Sequence, residues 1–355
     1  MSGVRFPGRR LLGCRFPGSR FLKRLGLAAA LLAALAGRSE ARELDVGPGK
    51  AYAAPSDAAA VARDGDTVNI APGIYYDCAM WHASGLTIAG TGPDVRITDK
   101  ACAGKAAFVI EGNNVVIRGL SFARVRVIDG NGAGIRAEGR DLTVEGTSFV
   151  NNQIGILAGG QGGSLRIADC TFSANGVSLD GQPTHSVLAG ALDLLRIERS
   201  SFQDARGGDH VISSARRTEL ADDRLTDEGG HMSGPLVTVL GGSLMLDHST
   251  VDLSRNAADR PGAILVAGDA TAIAVSGNTL IEPEGDVPLL RNWTWVTATG
   301  TANIVPPNAS AISDNGVLYH RLRSRIASLR SQLLDLKGVA RHQVAQVARA
   351  LKLIP

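Results

Sequence analysis

Six short runs in the middle of the chain repeat one arrangement of apolar and polar positions: NVVIRGLSF (114–122), DLTVEGTSF (141–149), SLRIADCTF (164–172), LLRIERSSF (194–202), SLMLDHSTV (243–251) and AIAVSGNTL (272–280). Each places an apolar residue five positions after a central aliphatic one. Alternation of this kind marks a strand with one buried face. The central positions, with Leu220 from a further coil between the fourth and fifth runs, are Ile117, Val144, Ile167, Ile197, Leu220, Leu246 and Val275, spaced 23 to 30 residues apart. Repeats of that length with variable spacing describe stacked coils, as in a parallel β-helix, where each coil buries its apolar face against its neighbours.

A second set lies between these runs: GIRAEG (134–139), GILAGG (155–160), SVLAG (186–190), HVISS (210–214), LVTVLGG (236–242) and AILVAG (263–268). Period two turns Ile135, Ile156, Val187, Val211, Val237 and Ile264 inward as one stack. The residues that follow them, Arg136, Leu157, Leu188, Ile212, Thr238 and Leu265, then form an outward column. The same alternation in GDHVISSARRTE (208–219) sends Val211 and Ser213 inward and His210, Ile212 and Ser214 outward. An outward strip with this much aliphatic character needs cover, because contiguous apolar patches rarely stay in water.

The pattern changes at both ends. SDAAAVARDGDTVNIAPGIY (56–75) reads as a Ser56-capped helical turn, a Gly-Asp turn and a strand, which would close the open end of the first coil. Residues 317–354 place Leu318, Leu322, Ile326, Leu329, Leu333, Leu336, Ala340, Val344, Val347 and Leu351 three or four apart, an amphipathic helix with a break at Gly338. Over 317–337 it would span roughly 31 Å, against roughly 24 Å for five coil steps, so it is long enough to lie along the outward column. Docking there, self-association through the tail, and contact with an anionic membrane surface or acidic glycan are the three readings of this segment. Residues 1–41 combine a basic stretch, the apolar run LGLAAALLAALAG (25–37) and a Ser39-Glu40-Ala41 cleavage pattern, and read as a secretory signal. The expected architecture is all-β: a signal peptide (1–41), a right-handed parallel β-helix with a short N-terminal capping helix (42–316), and a basic C-terminal helix (317–355).

Charge is unevenly distributed. The whole chain carries +3, whereas 42–316 is −11 and 317–355 is +7. An acidic body excludes a nucleic-acid surface there, and the basic tail calls for an anionic partner, the body included. No segment is long and apolar enough to span a membrane. Of the cysteines beyond the leader, Cys78 and Cys102 sit in loops of neighbouring early coils and are the expected disulfide, leaving Cys170 buried and free.

The chain resembles the right-handed parallel β-helix proteins of the pectin lyase-like superfamily over about 45–310. ARDGDTVNIAPGIY (62–75) looks like the first coil of such proteins, among them polysaccharide lyases and carbohydrate-binding members. YYDCA, ACAGKAAFVIEG, DGNGAGIRAEG and NQIGILAGG look like a secreted bacterial branch of unknown role. The resemblance implies a rung of the form H-N-x-Y-x-G, followed one coil later by G-H-x-I-K-S-R-A. In the matching segments HSVLAG (185–190) and DHVISSA (209–215), Leu188, Ile212 and Ser214 stand where the tyrosine, lysine and arginine would be, on the face where substrate would lie.

Lyases and epimerases of uronic acids need a base and a cation, often Ca2+, to neutralise the acid group. His185 and Asp209 occupy equivalent places in successive coils and could form an Asp-oriented base. His210 is an independent candidate, and Arg216 and Arg217 are either substrate clamps or partners of acids such as Asp222 and Asp223. Asp129, Asn131, Arg136 and Glu138 form a second polar cluster that could contact substrate. Only Asp129, Asn131 and Glu138 offer oxygens to Ca2+ there, fewer than the six to eight it takes. Asn152 and Gln153 read as a structural amide ladder, and His231 as a loop residue. The acidic body favours a neutral glycan, or a Ca2+-dependent site, over direct capture of a polyuronate. The resulting expectation is a periplasmic or extracellular protein that interacts with polysaccharide and descends from lyases or epimerases. Two rivals stand beside it: an active lyase or epimerase, and a structural or envelope-assembly protein working through its tail, with oligomerisation open in each case.

Overall fold

A computed structural model describes residues 41–314, apart from residue 161 and the segments 177–183, 228–233, 254–259 and 282–286. The leader, His231 and the C-terminal helix expected over 317–355 lie outside the described residues. The chain winds as a solenoid of about ten turns whose walls are three parallel sheets of 11, 9 and 10 strands, here sheets A, B and C in the order each coil visits them. Almost no helix interrupts them.

The two aliphatic columns read from the sequence are the inner linings of sheets A and C. In sheet A the pairing runs Ile117, Val144, Ile167, Ile197, Leu220, Leu246 and Val275. In sheet C it runs Ile135, Ile156, Val187, Val211, Val237 and Ile264. None of these thirteen residues is more than 1% exposed. The apolar residue five positions on lines sheet B, and in four successive coils it is a phenylalanine. Phe122, Phe149, Phe172 and Phe202 stack at 5.5, 4.7 and 4.5 Å between ring centroids, within 13° of parallel. Glycines opposite make room for the rings: a Cβ at Gly155 would lie 3.0 Å from Phe172 and 2.6 Å from the Ser186 carbonyl.

Two residues link each strand of sheet A to the next strand of sheet B over residues 146–147, 169–170, 199–200, 222–223, 248–249 and 277–278. The first of each pair is left-handed, a conformation that Gly146 (φ 51°) takes without the steric cost borne by Asp169 and Arg199. From Ser200 onward the second points into the corner and binds the coil below. Ser200 Oγ accepts from the Cys170 N–H, Asp223 Oδ1 from Ser200, Ser249 Oγ from Asp223, Asn278 Oδ1 from Ser249 and Asn303 Oδ1 from Asn278. A separate amide ladder at the corner between sheets B and C contains Asn152, whose Oδ1 accepts from the Val125 N–H at 3.1 Å and whose Nδ2 donates to Asn175 Oδ1 at 3.1 Å. Gln153 does not extend that ladder; it ties down the 127–132 loop through the N–H groups of Val127 and Gly132 and the Val127 carbonyl.

Cys78 and Cys102 are disulfide-bonded, with Cα atoms 5.4 Å apart. Cys170 is free and buried, and burial pushes its thiol up to about 12. The N-terminal helix exists as Pro55–Ala59, burying Ala58 and Ala59, but Ser56 does not cap it. Pro55 starts the helix, Ala54 holds the cap position, and the Asp57 carboxylate accepts from the Ala54 N–H at 3.1 Å. A proline needs no N–H partner in the first turn, which moves the start ahead of the serine.

Candidate functional site

The strands carrying Val187 and Val211 pair directly, so His185 and Asp209, two residues before each, enter the same corner one coil apart. They form no dyad. His185 is 1% exposed, and among the described residues neither ring nitrogen has a partner within hydrogen-bonding geometry. Burial lowers its pKa to about 4, so it is a neutral ring packed against the backbone of Gly208, where a Cβ would fall 2.8 Å from Nδ1. Asp209 is 5% exposed and Oδ2 is unpartnered. Burial raises its carboxyl to about 7, partly opposed by the positive charge of Arg260.

His210 does not face outward. The alternation holds only within the strand Val211–Ser213, and His210 precedes it in the corner, fully buried. Its ring centroid lies 5.6 Å from that of Phe202, at the end of the aromatic stack. Nε2 donates to the Thr226 carbonyl at 2.9 Å, which leaves Nδ1 as the unprotonated nitrogen. Burial holds this imidazole down at about 4 as well. A ring that is neutral, walled off and tethered to the next coil is a packing element, and water-borne substrate cannot reach it.

The two arginines are exposed but engaged. Arg216 Nη2 lies 2.5 Å from Asp193 Oδ1, and Arg217 Nε lies 2.8 Å from Glu219 Oε1. Their partners are therefore not Asp222 and Asp223. Asp193 sits in the turn that enters sheet A one coil earlier, and Glu219 is two residues along the same strand face as Arg217.

In the second cluster, Arg136 is largely buried and paired with Glu138 at 3.3 Å, and Glu138 also meets Lys105 at 2.7 Å. Asp129 is exposed, whereas Asn131 is half-buried with Oδ1 unpartnered. Among the described residues, no three His, Cys, Asp or Glu side chains converge as a metal site, so Asp129 and Glu138 do not join a third such ligand.

The outward column is a second hydrophobic core. Leu157, Leu188, Ile212 and Leu265 are each at most 1% exposed and cluster with Val109, Leu240 and Trp293 on the outer face of sheet C. Leu188 pairs with Ile212 in adjacent strands, at the places where the family rung would carry tyrosine and lysine. Beside this face lies a buried ion pair that the sequence pattern did not reveal. Arg260 binds the Asp227 carboxylate, and its Nη1 donates to the Gly234 carbonyl at 3.0 Å. Burial pulls its guanidinium down while Asp227 supports its charge. Nothing in the repeat marks either residue, because both belong to connections whose length changes from coil to coil.

Two solved structures share this winding. An alginate lyase from Paenibacillus sp. str. FPU-7 matches over 77% of this chain and 98% of its own, at 13% identity and a TM-score of 0.51. A PL6 family alginate lyase, AlyGC, matches over 75% of this chain and 40% of its own, at 18% identity and a TM-score of 0.55. The likeness is one of fold. The chain is a right-handed parallel β-helix, as those enzymes are. No protein-family model matches it, and no curated protein does.

Proposed function

We propose that this is a secreted β-helix protein that binds polysaccharide by its outer wall and carries out no lyase or epimerase chemistry at His185, Asp209 and His210. One observation carries the reading. His185, Asp209 and His210 are at most 5% exposed, and the face beside them is filled by Leu157, Leu188, Ile212 and Leu265. Polysaccharide as partner rests on the fold shared with alginate lyases. Secretion is supported by the leader-like pattern of residues 1–41 and by the Cys78–Cys102 disulfide, a bond that persists in oxidising compartments. Among the described residues, no helix is long and apolar enough to cross a membrane. The test is a panel of neutral and acidic glycans, with and without Ca2+, followed for binding and for unsaturated product by ultraviolet absorbance. Binding without product is the expected result, and product formation that is lost in His210→Ala would overturn the non-catalytic reading.

The tail has a place in this reading. Strand Ile312–Asp314 is the last of sheet C, so the chain leaves the solenoid at the end of the face that holds the second core. We propose that the leucines and isoleucine of 317–337 cover that face and that their arginines meet acids of the body.

A further inference from the structure

Cleavage after Ser39-Glu40-Ala41 would leave Arg42 as the first residue of the exported chain, and the solenoid holds that residue firmly in place. The compact unit that contains the solenoid begins at Arg42. The Arg42 carbonyl accepts from the Thr67 N–H at 2.9 Å, one step ahead of strand Glu43–Val46, which pairs in parallel with Thr67–Ile70. The Arg42 backbone nitrogen is bound as well, donating to Asp66 Oδ1 at 3.0 Å.

Asp66 is the centre of this arrangement. Its side chain is fully buried, and four donors converge on it. Three come from Arg42: the backbone N–H, Nε at 3.3 Å and Nη2 at 2.5 Å. The fourth is the Arg63 N–H at 2.8 Å. The Arg42 guanidinium leads in holding this carboxyl down at about 2 against the effect of burial, so it is ionised at neutral pH. The neighbouring acids have partners of their own: Glu43 Oε2 accepts from Asn69 at 3.4 Å, and Asp64 Oδ1 from the Ser84 N–H at 2.8 Å. Tyr52 acts on the guanidinium of Arg42. While residue 41 is attached, the Arg42 nitrogen offers Asp66 one neutral N–H. An α-ammonium at the same atom offers a positive charge and three donors, and a charged donor facing a carboxylate makes a bond roughly twice as strong as a neutral one.

We propose that the Ala41–Arg42 bond is the processing site of this chain and that the α-ammonium released there forms a buried ion pair with Asp66. Hydrolysis of that peptide bond takes up one water, with a leader peptidase of the export machinery as catalyst. The new carboxylate leaves on Ala41, and the amine of Arg42 carries the proton. The inference rests on the secretion reading and goes beyond it, because the bonds that close the first coil are complete only once the leader has gone.

The full chain is expressed in a secreting bacterial host, and the exported protein is sequenced from its N-terminus. It is then acylated with an activated acetate ester over a range of pH, with the α-amine followed by mass spectrometry. The sequence should begin Arg42-Glu43-Leu44. The α-amine should titrate above about 9 in the folded protein and near its ordinary value of about 8 in the same protein unfolded by urea, so that labelling at pH 8 is about fivefold slower or more in the fold. Asp66→Asn should abolish that protection. A chain that retains Ser39-Glu40-Ala41 should melt a few degrees lower at pH 7, and the difference should shrink as pH rises past the raised value of the amine, where the ammonium loses its charge. An N-terminus at another residue, an α-amine that titrates near 8 in the folded protein, protection that survives in Asp66→Asn, or equal melting temperatures at pH 7 would overturn the inference and leave the secretion reading standing. A chain that is not exported would overturn both.

Discussion

Asp223 is the place where the corner ladder is chemically mismatched, and replacing it with asparagine should stabilise the protein in a pH-dependent way. The residue is 2% exposed; Oδ1 accepts from the Ser200 N–H at 2.8 Å, and Oδ2 has no partner among the described residues. Burial pushes its carboxyl up to about 7, opposed by the backbone N–H bonds it receives and reinforced by Asp222 and Glu198. In the unfolded chain the same group titrates near 3.9. Below about pH 4 both states hold the proton and there is no penalty. As pH rises from about 4 to about 7 the unfolded state ionises first, so folding loses stability, and above 7 the loss is constant. Three pKa units correspond to about 4 kcal/mol, an upper bound for this site. Asparagine removes the ionisation and suits the ladder. At the equivalent positions, Nδ2 of Asn278 donates to the Leu246 carbonyl and Nδ2 of Asn303 to the Val275 carbonyl. An asparagine at 223 would meet the corresponding carbonyl, that of Ile197. Urea unfolding of wild type and Asp223→Asn at pH 4 and pH 8 should give equal stabilities at the lower pH and a gain of a few kcal/mol at the higher. Parallel pH profiles, or a variant less stable at pH 8, would refute the assignment of a buried charge.

Three other perturbations probe different walls. Gly155→Ala should destabilise by about 1–3 kcal/mol in urea, since its Cβ would press on Phe172 and on the Ser186 carbonyl; a neutral effect would mean that sheet C is not seated against the rings. Replacing Cys78 and Cys102 by serine removes a cross-link between residues 24 apart and should cost about 3 kcal/mol, read as a lower urea midpoint under oxidising conditions and no difference from the reduced wild type. Deleting 317–355 should lower the melting temperature and raise binding of a hydrophobic dye if the tail covers Leu188 and Ile212. An unchanged melting temperature would show that something else does.

What the sequence made legible follows the physics of repetition. Ile117 to Val275 and Ile135 to Ile264 were identifiable because period two fixes a face within a strand, and stacking forces the same choice in each coil. The Cys78–Cys102 bond followed from two loops one coil apart. His210 was misplaced because alternation stops where the strand does, and one residue of corner was enough to turn its ring from solvent to core. The partners of Arg216 and Arg217 escaped for a related reason. Proximity in sequence pointed to Asp222 and Asp223, whereas the winding brings Asp193 alongside from the preceding coil.

The two-residue link between sheets A and B, constant from residues 119–120 to 277–278, has a consequence for how such a chain can change. With that corner held constant, nearly all the variation in coil length falls on the connections from sheet B to sheet C, which run from three residues after Val150 to thirteen after Ser173. Length is thus decoupled from register. The solenoid behaves as a rack with one adjustable side, where peptides can be lengthened, exchanged or grafted without moving a rung of the wall.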